Sequence, residues 1–72
     1  MSSSTELTDT AYDILKMLGK DADFLYDTIE IYIKDAEKAN KSELVEILQT
    51  IKIDRKRHMH LLKEALEKEI HG

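Results

Sequence analysis

Asp54, Arg55 and His58 are the residues of this sequence whose types and spacing could do chemistry. An aspartate and a histidine four residues apart meet on one helix face, where a carboxylate and an imidazole could ligate a metal. Arg55 stands between them, three residues before His58. All three interrupt a run of apolar positions. The expected stripe reads Leu44, Leu48, Ile51, Arg55, His58, Leu62, Ala65 and Glu69, a strict alternation of four and three residues. Asp54 lies on the flanking stripe Ile47, Ile51, Asp54, His58, Leu61 and Ala65. Polar groups in an aliphatic face are costly unless partnered. The bland reading is a core polar cluster of Asp54, Arg55 and His58 that sets helix register. The sharper reading is a site in the core of a helical bundle. A wet, unburied face is the third. His60 points away from the stripe and His71 lies in the tail, so both read as solvated. Tyr12, Tyr26 and Tyr32 read as core or rim aromatics. Nucleophilic triads, phosphate loops and EF-hand loops have no candidate residues.

The elements that must position these residues are helices. The chain has 72 residues, no proline, no cysteine and two glycines, Gly19 and Gly72. That excludes a disulfide scaffold and thiolate metal sites, and leaves few breaks for a many-stranded β fold. Apolar residues recur at helical spacing from Leu7 through Ala11, Ile14, Leu18, Ala22, Leu25, Ile29, Tyr32 and Ala36 to Ala39. Ser3 with Glu6 fits a capping box, so a helix is expected from about residue 5, with residues 1–4 frayed. Gly19 followed by Asp21 is the weak point. The pattern predicts an N-terminal helix over 5–18, a kink or break, and a helix over 21–39. One unbroken helix fits the same residues. Asn40 tolerates a left-handed helix end, and Ser42 is a good N-cap for a last helix over 42–69.

A short turn between long helices makes an antiparallel hairpin. With the turn at 40–41, Lys52 comes opposite Glu30, Arg55 opposite Tyr26 and Asp27, and His58 opposite Asp23 and Phe24. The acids Asp21, Asp23, Asp27 and Glu30 then run beside Lys52, Arg55, Lys56 and Arg57. Exposed pairs of this kind contribute about 0–1 kcal/mol each and serve mainly to fix register.

Charge bounds the partners. Lys and Arg number 11 against 15 Asp and Glu, a net charge of −4. An acidic chain is not expected to bind nucleic acid. No apolar run approaches the roughly 20 residues of a membrane span. The opening MSSSTELTDT lacks the basic and apolar regions of a signal peptide, so a cytoplasmic chain is expected.

The stretch from Glu43 to Leu62, with its Glu43-Leu44 lead-in, its Ile51-x-x-Asp54-Arg55-x-x-His58 centre and its Leu61-Leu62 close, resembles the second helix of a ferritin-like, rubrerythrin-type hairpin. Ile29–Ala36, with Tyr32, resembles the first helix. The resemblance covers roughly residues 21–68. In that family each hairpin supplies a Glu from one helix and Glu-x-x-His from the other. Here His58 matches the histidine, Arg55 stands at the glutamate before it, and Leu25 stands at the first-helix glutamate. The resemblance therefore implies the fold without its di-iron centre. A shifted register would offer Asp54, His58 and Glu30 or Asp27 as an alternative ligand set for iron, manganese or zinc.

The fold expected is all-α: an antiparallel helical hairpin with an N-terminal helical extension, pairing into a four-helix bundle. Phe24, Leu25, Tyr26, Ile29, Ile31, Tyr32 and Ile33 wrap most of the first helix's circumference, more than a single neighbour can cover. A homodimer or higher homo-oligomer is expected, with Phe24, Leu25, Ile29, Tyr32 and Ile33 at the interface and a helical protein partner as another occupant. The function expected is structural or interaction-based, without cofactor or catalysis. The alternative is a metal-binding ferritin-like protein or oxidoreductase with its site between two hairpins.

Overall fold

The computed structural model describes residues 7–71. They form α1 (Asp9–Asp23), a π-helical turn (Phe24–Thr28), α2 (Ile29–Lys38) and α3 (Ser42–His71), and no strand occurs among the described residues. α1, the π turn and α2 make one continuous helical rod. It runs antiparallel to α3, in a body 55 Å long and 16 by 12 Å across its Cα atoms. The expected frayed residues 1–4, the helix start at residue 5 and the Ser3–Glu6 capping box lie outside the described residues.

Thr8 is the cap that starts the rod. Its backbone is extended, and its hydroxyl accepts the Ala11 amide at 3.1 Å. That satisfies one of the donors a helix start leaves unpaired, and Asp9 adds a negative charge to the first turn. Gly19 does not break the helix. It sits in the middle of α1, and a Cβ there would meet nothing within 4 Å. The irregularity comes five residues later, where the Ile29 amide bonds the Phe24 carbonyl in an i→i+5 turn. Neither glycine nor proline lies within it. The extra residue shortens the rod per residue at that point and sets back the register of everything N-terminal to it.

The connection between the rods is a Schellman turn. Asn40 has φ of 58°, the Asn40 amide bonds the Glu37 carbonyl, and the Lys41 amide reaches back to the Ala36 carbonyl, both at 3.0 Å. The Lys41 carbonyl accepts the Val45 amide, so Lys41 holds the cap position and Ser42 is the first helical residue rather than the expected cap.

The buried residues are Ala11, Leu25, Ile29, Ile33 and Ala36, all on the first rod. Leu25, Ile29 and Ile33 pack with Phe24, Val45, Leu48 and Met59 into one cluster near the turn. Leu25, Ile29 and Ile33, expected at a partner interface, are thus buried in the hairpin's own seam. Phe24 is half-buried, and of the five only Tyr32 is exposed. α3 has no fully buried residue along its 30 positions. Its half-buried residues are Val45, Leu48, Lys52, Asp54, Arg55, Met59, Leu62, Ala65 and Leu66. The seam therefore follows Val45, Lys52, Met59 and Leu66 around the expected Leu48, Arg55 and Leu62. It does not follow Leu44, Ile51 and His58, all of which are exposed. α3 is turned by about one residue, roughly 100°, on one side of the expected stripe.

Candidate functional site

The rotation of α3 decides where its polar residues go. Arg55 lies at the edge of the seam. Its guanidinium stacks over the Phe24 ring, 4.5 Å from the centroid, and its Nη1 donates to the Asp21 carboxylate at 3.4 Å. Asp21 is the better covered partner, its side chain 15% exposed against 40% for Arg55. The residues expected opposite Arg55, Tyr26 and Asp27, lie within the π turn and are exposed, and Arg55 meets Phe24 and Asp21 instead. Lys52, on the other side of that turn, pairs with Glu30 as its spacing predicts.

The expected core polar cluster does not form. Asp54 pairs with Arg57 one turn on, at 3.5 Å, and the Asp54 side chain is half exposed. His58 is exposed and lines a cleft of about 630 Å³ with Met17, Lys20, Asp21, Arg55, Leu61 and Leu62. His60 pairs with Glu64 at 3.2 Å on an exposed face. At the far tip of the hairpin Thr10 donates to the Glu69 carboxylate, and Thr8 lies 3.4 Å from it. These contacts tie the start of α1 to the end of α3, so the N-terminal helix docks on its own hairpin.

A metal fits poorly here. The two positions at which a ferritin-like hairpin would need glutamates hold Leu25, buried in the core, and Arg55, a cation already engaged with Asp21. The alternative set is not assembled within one chain, since Glu30 is held by Lys52 and Asp54 by Arg57. Among the described residues no group of three His, Asp or Glu side chains is placed to hold a metal ion. Among the same residues, no helix is long and apolar enough to cross a membrane.

One carboxylate is perturbed. The hydrogen bond from Lys52 holds Glu30 below the usual carboxylate range; desolvation, next in size, opposes it, and the charges of Lys52, Lys34 and Lys56 add to the lowering. Glu30, Lys52, Lys56 and Tyr26 occupy one flank of the hairpin, with Met59 and Leu25 beneath them.

The opposite flank is apolar. Leu44, Ile47, Ile51 and Leu61 are all exposed on α3, Ile47 and Leu61 by 56% each. Across the seam on the same side stand Tyr32, which shares a groove with Leu44 and Leu48, and Met17, which shares the His58 cleft with Leu61. The spare apolar surface was expected on the first rod; it lies instead along the flanking stripe of α3, whose helical spacing is present in the sequence.

Comparison with known protein families, curated proteins and solved structures finds no match for this chain.

Proposed function

We propose that this chain is a self-associating helical hairpin with a structural or protein-interaction role, pairing into a four-helix bundle of the kind its resemblance to ferritin-like hairpins suggests. The observation that carries the reading is the exposed apolar stripe of Leu44, Ile47, Ile51 and Leu61 on a helix that buries no residue fully. Isolated exposed apolar residues are ordinary, but apolar residues gathered on one helix face, here on either side of Asp54 and His58, mark an interaction surface. The thin core supports the same reading, because the described residues bury only Ala11, Leu25, Ile29, Ile33 and Ala36, and association is a usual remedy for a marginal core.

The same reading assigns no iron, manganese or zinc and no catalytic role, on the strength of Leu25 and Arg55 at the glutamate positions. Sedimentation equilibrium at micromolar concentration, with elemental analysis of untagged protein, tests both halves. A stable multimer without bound metal is the expected result. A well-folded monomer whose melting temperature is independent of concentration would remove the first half, and about one metal per chain lost in His58→Ala would remove the second.

A further inference from the structure

The flank of α3 between Ile47 and Ala65 is self-complementary about its own midpoint, and this points to its occupant. Its stripe reads Ile47, Ile51, Asp54, His58, Leu61 and Ala65. These positions are arranged symmetrically about residue 56. If a second α3 lies antiparallel on the first with its residue 56 at the same level, Ile51 meets Leu61, Ile47 meets the small Ala65, and Asp54 meets His58. By symmetry every contact occurs twice. Sliding the second helix by one heptad in either direction weakens the match. One shift brings Leu44 against Leu61 but sets Ile51 against Asp54 and Ile47 against His58, and the other sets Ile51 against Lys68 and His58 against Leu61. In the central register the mismatch is confined to Leu44 against Lys68, beyond the ends of the symmetric stretch. A foreign helix would have to carry the same apolar, acid, base, apolar order to fit.

We infer that the occupant of this flank is a second copy of the chain, seated by antiparallel α3–α3 packing about a two-fold axis at the level of Lys56, with Asp54 of each copy against His58 of the other. The inference rests on the self-association reading above and adds the face, the orientation and the register. The first rod agrees with it. Arg55 lies over Phe24, so the axis passes near Phe24 on that rod. Met17 and Tyr32, its exposed apolar residues on this side, stand seven residues before and eight after Phe24 and are brought opposite each other. The face from residue 47 to 65 is roughly 27 Å long at helical rise and about 20 Å wide over two helices, roughly 540 Å² per partner and so toward the small end of specific interfaces. Charge near the axis is tolerable. Each Arg55 brings its own counter-ion in Asp21, Lys20 lines the cleft beside it, and the two Asp54–His58 contacts set a carboxylate acceptor against an imidazole N–H donor.

The test is a charge exchange read by sedimentation equilibrium on the full chain, with circular dichroism to follow helicity. Asp54 and His58 are solvent-accessible in the hairpin, so their variants are expected to stay helical. His58→Asp sets acid against acid and is expected to weaken dimerisation at least tenfold. Asp54→His sets base against base and weakens it less. The double variant Asp54→His/His58→Asp restores the complement and is expected within about threefold of wild type. A cysteine pair gives an independent reading, because the chain has no cysteine of its own. Ile47→Cys/Ala65→Cys should give a covalent dimer under oxidised glutathione, and Ile47→Cys/His58→Cys, which samples the shifted register, should not. A wild-type monomer would overturn the self-association reading itself. A wild-type dimer indifferent to the charge exchange, or cross-linked only in the shifted pair, would overturn this register and leave self-association standing.

Discussion

The half of the hairpin next to the turn and the half that ends at the chain termini are built from similar residues but packed differently. Next to the turn, Leu25, Ile29, Ile33 and Ala36 are buried against α3. In the far half, Ala11 is the one buried residue of α1, and Ile14, Leu18 and Ala22, like Leu62, Ala65 and Leu66 of α3, are only half buried. Two helices share one seam, and a seam excludes water only where both sides offer bulky residues in register. The Schellman turn fixes that register at one end, and its influence fades with distance and across the π turn. At the far end polar ties take over, with Thr8 and Thr10 on Glu69 and Arg55 on Asp21. The lesson is that a two-helix chain can build a dry core near its connection and leaves the rest half wet unless something else covers it.

The largest expected effect lies in the near half. Ile29→Ala should cost about 3 kcal/mol, in the range for truncating a fully buried aliphatic residue, and Leu18→Ala in the far half about 1 kcal/mol. Urea unfolding of both variants measures the contrast. Ile29→Val, expected to cost about 1 kcal/mol, keeps the comparison measurable if the alanine variant unfolds outright. Equal costs for Ile29→Ala and Leu18→Ala would erase the distinction between the halves.

The turn comes next. Asn40 holds a left-handed conformation, so Asn40→Ala should cost about 1 kcal/mol, whereas Asn40→Gly should be neutral or stabilising. The penalty should appear as faster amide exchange in the near half first, because the turn sets that register.

Arg55 sharpens the comparison from the other side. Its side chain is 40% exposed, so Arg55→Ala should cost about 1 kcal/mol, combining a screened ion pair with the stacking on Phe24. A cost on the order of 3 kcal/mol, as for a pair sealed in the interior, would mean that the far half is drier than it looks.

The smallest effect is at Glu30. Its carboxyl is depressed in the folded state, so the Lys52 contact stabilises above the ordinary carboxylate range and is lost as pH falls through the lower folded value. Glu30→Gln should therefore differ from wild type at pH 7 and converge with it in acid, as followed by thermal melts across that range. The difference should be small, because the pair is exposed to solvent.

Several features were determined by the sequence itself. Helical spacing dictated two long helices, Asn40 between them dictated the turn, and the turn's position put Lys52 against Glu30. These depend on local propensity and chain connectivity, which a sequence carries directly. The tertiary structure decided which side of α3 faces the seam. Two stripes share Leu48, Arg55 and Leu62, and they differ in taking either Leu44, Ile51 and His58 or Val45, Lys52 and Met59. Both alternate threes and fours, so period cannot choose between them. The choice follows from how Val45 and Met59 fit against Leu25, Ile29 and Ile33, with Lys52 brought to Glu30 on that same side. The π turn was equally hidden, since no glycine or proline marks it, and so was the pairing of Arg55 with Asp21 in place of the expected Asp27. That rotation left the apolar flank of α3, with Asp54 and His58 at its centre, facing outward.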